Sequence, residues 1–166
     1  MQIPQTTYNE FPAAGKNGMR TKNGPERIES RMASGAVQVG AFCFMNLPAD
    51  DQCEAIPDST SSFAGKLLAL ALENPNRSPM ATAASDSGSG QFSDGDDVSL
   101  MTQGEAWVYA EGACTAGNPV YVRCLKASNS WTGQVKDGAA TNFVQHPTAV
   151  FKTTTTGAGL VKIKVA

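Results

Sequence analysis

Histidine is nearly absent: His146, followed by Pro147, is the sole one, and no serine elbow accompanies it. A hydrolytic triad needs a base and an orienting acid gathered at a nucleophile, so this histidine reads as an ordinary surface residue in a loop. Charge is sparse too. Charged residues are 17% of the 166-residue chain and the formal net charge is −2, which excludes a general electrostatic nucleic-acid binder. The longest apolar run, Leu67 to Leu72, is far too short to span a bilayer. No positively charged start leads into an apolar segment, so neither a signal peptide nor a membrane partner is expected. The Ser/Gly run ending at Gly90 lacks the Lys-Ser/Thr close of a phosphate-binding loop.

Cysteine is present but not in a chemical pattern. Cys43 and Cys53 form one pair, Cys114 and Cys124 another. Their flanks read as strand and turn, which does not suit a disulfide-linked helical hairpin, and zinc sites use closer ligand pairs. Reduced, partly buried thiols are expected, as in a protein made and assembled in a reducing cytoplasm. Asp94, Asp96 and Asp97 lack the spacing of a helix–loop–helix calcium site and read as turn carboxylates. Glu105 and Glu111 flank one strand, but no aromatic platform accompanies them for glycoside hydrolysis. No catalytic, cofactor-binding or metal-ligating residue is therefore assigned, no cofactor is expected, and the chain is read as not an enzyme.

What is abundant is turn and strand material: 16 Gly, 9 Pro, and stretches of strict alternation. The richest runs from Gly95 to Arg123. Asp97–Thr102 reads as one strand and Gly104–Ala110 as a second, with Ala106, Val108 and Ala110 facing away from Trp107 and Tyr109. Thr102-Gln103-Gly104 is short enough for a tight turn between them. Gly112 and Gly117-Asn118 mark a second turn, and Pro119–Leu125 is a third strand alternating Val120, Val122 and Cys124 against Tyr121 and Arg123. The expectation is a β-meander at the centre of a small all-β barrel or sandwich.

This stretch resembles the capsid cement, or head decoration, proteins of tailed bacteriophages. The residues that carry the resemblance are Gly95, Asp96, Val98, Gly104, Glu105, Trp107, Val108, Gly112, Thr115, Ala116, Gly117, Pro119, Val120, Tyr121 and Val122. The close of the chain, Gly159 to Val165, resembles that family's last strand, and Val37 to Phe44 is more weakly similar. The resemblance implies a structural virion protein on the outer surface of the phage head. It implies clamping of adjacent major capsid protein subunits and contact with neighbouring copies, as a homotrimer.

The rest of the chain fits an all-β reading. Ser34–Met45 reads as a strand, or two with a kink at Gly40, with Val37, Val39, Ala41 and Cys43 on one face and Phe42 and Phe44 on the other. A brief strand is expected near Cys53–Ile56. Phe63–Leu72 suits a strand gathering Leu68, Leu70 and Leu72, with a short helix as the alternative. Glu73–Ser93 and Lys126–Gly138 read as loops. Val144 and Thr148–Thr153 resume strand character, and Leu160–Val165 alternates an apolar with a basic face.

Residues 1–31, with several Pro and Gly and no sustained period, read as an extended N-terminal arm preceding a barrel-like domain over 32–166. Deleting that arm is expected to leave the barrel folded. Tyr8, Phe11 and Pro12 are its candidate anchors, with Arg20 and Lys22 meeting acidic patches. Trp131 either caps the barrel or sits at a subunit contact. Charge is segregated: +2 over residues 1–42, −9 over 43–111 and +5 over 112–166. Such segregation reads either as steering of assembly between complementary surfaces or as ordinary surface variation. Two rival readings are a glycan- or receptor-binding module on the virion and a β-barrel enzyme.

Overall fold

The computed structural model describes residues 16–21, 24–45, 51–58, 60–73, 90–126 and 130–166. The described residues form strands and turns with no helix, so none is present that could cross a membrane. In chain order the strands are β1 (Arg20–Thr21), β2 (Arg27–Ala33), β3 (Val37–Gln38), β4 (Phe42–Met45), β5 (Gln52–Ala55) and β6 (Leu67–Ala71). They continue with β7 (Gln91–Phe92), β8 (Asp97–Ala110), β9 (Pro119–Arg123), β10 (Val135–Asp137), β11 (Phe143–Phe151) and β12 (Gly159–Val165).

The long strand β8 organises the molecule. It runs 14 residues without interruption, so the tight turn expected at Thr102–Gly104 is not there. Gly104 takes a φ of 137°, and the register against β2 slips between Arg27 and Ile28, opposite Gln103 and Met101. The glycine bends the strand at a bulge instead of reversing it. A Cβ at Gly104 would lie 2.8 Å from the Met101 sulfur, so the bend is also a close approach.

Two pairing circuits close on β8. Its second half pairs with β12, then β11, β9 and β10 follow, and β10 returns to β8 through Val135 and Ala110. This is a five-stranded barrel. The first half of β8 pairs with β2 on one edge and β6 on the other, and β5 and β4 complete the second circuit. The expected meander is corrected accordingly: β9 follows β8 in sequence but pairs with β10 and β11. Two short strands also lie in stretches read as loops: β7 at the end of Glu73–Ser93 and β10 in Lys126–Gly138.

Alternation divides the side chains between two cores. Ala106, Val108 and Ala110 of β8, Val120 and Val122 of β9, and Val161, Ile163 and Val165 of β12 fill the barrel with Phe151. The second core gathers Val37, Val39, Cys43, Met45, Cys53, Ala69, Ala71, Val98 and Leu100. Strands β4 and β6 serve both. Phe42, Phe44, Leu68, Leu70 and Leu72 turn to the barrel side, and their odd-numbered neighbours to the second core. The faces expected for Ser34–Met45 and Phe63–Leu72 are thus seen, with Gly40 at φ 73° in the turn between β3 and β4. Fully burying one such aliphatic or aromatic side chain contributes about 1.5–3 kcal/mol, so the two cores account for most of the fold's cohesion.

The arm expected over residues 1–31 meets sheet over its described part. β1 pairs Arg20 with Ala106 and Thr21 with Glu105, and β2 lies between β8 and β5. Charged Arg27, Glu29 and Arg31 masked the strand, yet Ile28 packs on the barrel core. Deleting residues 1–31 would remove β2 and open the second circuit, so the expectation that the barrel survives that deletion is withdrawn. Residues 1–15 lie outside the described residues.

Candidate assembly surfaces

The chemistry-bearing residues are occupied with structure. His146 is buried, not on the surface. Pro147 has no N–H to offer, and pairing of β11 with β9 is irregular between Gln145 and Val150. The His146 Nδ1 fills the gap by accepting from the backbone N–H groups of Thr148 (3.1 Å) and Ala149 (3.0 Å). Its ring lies 4.7 Å from that of Phe42. Burial lowers its pKa to about 4, so the imidazole is neutral at physiological pH.

Glu111, just past β8, makes a bidentate ion pair with Arg123 of β9, through Nε at 2.6 Å and through Nη2. The pair holds the Arg123 guanidinium above its ordinary pKa and its charge lies over the Phe143 ring, 4.6 Å from the centroid. Glu105 lies six residues back along the strand, about 20 Å at ~3.3 Å per residue, beyond the reach of a glycosidase pair. Asp94, Asp96 and Asp97 accept from the Gly35 N–H (2.8 Å), the Ser93 N–H (2.7 Å) and the Ser30 hydroxyl (2.7 Å). Among the described residues, no group of three or more His, Cys, Asp or Glu could hold a metal ion. All four cysteines are free and buried; desolvation pushes the Cys124 thiol up to about 11, which keeps it unreactive.

What faces outward is suited to contact. The first surface surrounds Trp131. Asn17 is pinned there: its side-chain amide donates to the Val39 carbonyl (2.9 Å), and its oxygen accepts from the Tyr109 N–H (2.9 Å). Asn17, Gln38, Tyr109, Trp131 and Gln134 line a small recess. The Lys126 ammonium sits 4.8 Å from the Trp131 ring centroid. Beyond it, Leu125 is 39% exposed at the lip of a cleft of about 340 Å³ whose walls include Thr60, Thr141, Asn142, Phe143 and Val144. The described chain begins at Lys16, next to Asn17, so residues 1–15 join the fold at this surface.

The second surface is the outer face of β8, β12 and the end of β11. Lys162 stands opposite Trp107, its ammonium 5.5 Å from the ring centroid, and Lys164 stands opposite Glu105. Lys152, just after β11, donates its N–H to the Lys162 carbonyl (2.7 Å), which sets the two lysines side by side. Lys152, Lys162 and Lys164 make no ion pair with any described residue. The third surface is the far end of the second circuit. There Met32 is 45% exposed beside Asp97, its backbone partner across the ladder. The Met32 N–H bonds the Asp51 carbonyl and the Ala33 N–H that of Asp96, both at 2.8 Å, and the Asp94 carboxylate accepts from the Gly35 N–H, so these segments meet at this end.

Of the residues singled out in sequence, Trp131 lies on the first surface. Arg20 lies on β1 with its guanidinium 3.3 Å from Glu26. Tyr8, Phe11, Pro12 and Lys22 lie outside the described residues. Asn17, Leu125 and the lysine cluster with Lys152 were missed. Asn17-Gly18 was a readable turn signal, and Lys162 and Lys164 were visible as one face of a strand, but nothing local placed Lys152 beside them.

A bent sheet closed on itself twice, with Glu111, Arg123 and the His146 Nδ1 engaged in structural bonds, defines a β-barrel structural module. The chain belongs to the phage structural cement protein family: the family model described as structural cement protein (E217 gp24/Pam3 gp6) matches residues 3–166. It is a non-enzymatic structural component of the phage capsid, as the resemblance around Gly95–Arg123 implied. A solved chain from the capsid of Myoviridae phage XM1 shares the fold, with a TM-score of 0.68 and 16% identity over 99% of this chain and 98% of that one. No curated protein matches the chain.

Proposed function

We propose that the protein sits on the outer surface of the phage head and clamps neighbouring major capsid protein subunits, with copies of itself meeting as a homotrimer. It engages neither nucleic acid nor membrane. The observation that carries this reading is the surface around Trp131. A half-buried Trp, an exposed Leu125, an open cleft and the root of residues 1–15 adjoin there. Aromatic and aliphatic anchors beside a pocket are what a protein interface uses as its energetic centre.

The arm, redefined as residues 1–15, extends from that root to the adjacent capsid subunit, with Tyr8, Phe11 and Pro12 as anchors. At ~3.3 Å per residue, fifteen residues reach up to about 50 Å, enough to cross a subunit boundary. Residues 16–166 form the folded domain. The glycan-binding alternative draws no support from Trp131, because Lys126 already occupies one face of the ring.

The test is co-sedimentation with expanded heads lacking this protein, comparing the full chain with one shortened to residues 16–166. Full-length protein should bind saturably. The shortened chain should melt at the same temperature but need about tenfold more protein for half-saturation, equivalent to ~1.4 kcal/mol. Equal binding by both would remove the arm from the clamp, and no binding by the full chain would sink the outer-surface reading.

A further inference from the structure

The outer lysine face has a feature that a solitary barrel would avoid. Lys152 and Lys162 are cross-strand neighbours, and like charges directly opposite on a sheet are destabilising. Lys164 lies one pleat further along, with Glu105 as the sole acid across from it. Apolar Val150, opposite Lys164 on β11, and Trp107, under Lys162, complete the face. Carboxylates brought by a partner would offset the repulsion within this cluster.

A matching surface lies on the same chain. At the far end of β8 the exposed Met32 lies across the ladder from exposed Asp97, and the exposed Asp51 and Asp94 belong to the segments that meet β2 there, with Arg31 the nearby cation, itself 3.4 Å from Glu29. The two surfaces are separated by up to about 30 Å along β8 at ~3.3 Å per residue. They cannot meet within one molecule, but the lysine face of one copy can meet the Met32 end of the next. Both carry an apolar centre, Trp107 on one and Met32 on the other, within a rim of opposite charge, the usual anatomy of an interface.

We propose that copies of this protein contact one another head to tail, the Lys152/Lys162/Lys164 face of β11–β12 seating on the carboxylate-rimmed Met32 end of the neighbour. Such a contact is heterologous: it closes into a ring if the rotation between copies permits. The proposal rests on the reading that the protein is displayed on the head surface, where copies are brought close together. It explains why the chain segregates its charge so strongly while remaining nearly neutral in total.

The experiment uses heads decorated with an equal mixture of ordinary and heavy-isotope-labelled full-length protein. A carbodiimide couples amine to carboxylate only where the two already touch. Peptides joining Lys152, Lys162 or Lys164 of one isotope to Asp51 or Asp94 of the other are the expected result. In parallel, Lys162→Gln with Lys164→Gln, both outward-facing, removes like charge beside Lys152 without placing an acid opposite Glu105, so the variant should stay folded with a melting temperature within a few degrees of the wild type. The same double variant should raise the protein needed for half-decoration about tenfold or more. Decorated heads in which these lysines couple only to the shell protein, or to nothing, overturn the head-to-tail contact and leave the cement role standing. Failure of the wild-type chain to bind heads overturns both.

Discussion

Gly133 offers the sharpest test of how the two cores are joined. It sits between β9 and β10 at a φ of +88°, and its N–H donates to the Arg123 carbonyl at 2.8 Å. Its carbonyl accepts from the Phe42 N–H at 2.9 Å, tying the barrel to β4 of the second circuit. A Cβ there would lie 2.1 Å from the Phe42 carbonyl oxygen and 2.9 Å from its nitrogen. Both are backbone atoms, which cannot swing aside as a side chain would. Gly138 is a matched control: its φ is also +88°, and an added Cβ meets nothing within 4 Å.

Gly138→Ala therefore carries only the cost of a left-handed backbone, about 1–2 kcal/mol. Gly133→Ala carries that and also displaces the Phe42 peptide, with loss of a buried hydrogen bond worth about 1–3 kcal/mol. At roughly 2–4 °C per kcal/mol for a domain of this size, the melting temperature should fall by about 4 °C for Gly138→Ala and about 10 °C for Gly133→Ala. Differential scanning calorimetry on the two purified variants measures the difference directly. Equal losses would refute the reasoning, because the contact between Gly133 and Phe42 would then bear no load.

Two further perturbations follow from buried charge. His146 has a folded pKa of about 4 against an ordinary 6.5, so its contribution to stability is complete above pH 6.5 and is lost as pH falls towards 4. The unfolded chain takes up a proton there that the folded one does not, a loss of up to about 3 kcal/mol. His146→Asn should flatten the stability profile between pH 6.5 and 5 in urea titrations, and an unchanged slope would show that the imidazole is not the group responsible. Glu111→Gln strips the counter-charge from Arg123, whose side chain is only 11% exposed, and should cost about 3 kcal/mol in the same assay. Replacing both Glu111 and Arg123 with Met should recover most of that loss; a double variant no more stable than the single one would mean that the pair's worth lies elsewhere.

Much of the architecture was legible because alternation is a local property. Val37, Val39 and Cys43 separated from Phe42 and Phe44 in sequence, and they enter different cores in the fold. Leu68, Leu70 and Leu72 did likewise, and the apolar face of Gly159–Val165 lines the barrel. The misreadings fall where one local signal serves two geometries. A glycine at positive φ ends a strand in a hairpin and bends one at a bulge, so Gly104 was taken for a turn. A histidine before proline has the look of a loop tip, yet at His146 the missing N–H of Pro147 creates the irregularity that the buried ring then fills. Arg27–Ala33 carries so many charges that only its place between β8 and β5 reveals it as a strand.

Legible in the sequence were the all-β class, the two faces of most strands and, through Gly95–Arg123, the resemblance to the cement family. Each of these depends on residue type and on spacing within one strand. Tertiary structure alone decided that β8 is continuous and shared by two circuits, that Glu111 pairs with Arg123, and that Lys152 stands beside Lys162. The physical reason is that a strand leaves its hydrogen-bonding edges open, and its partner and register are selected by distant segments through closure of the sheet and packing of both cores.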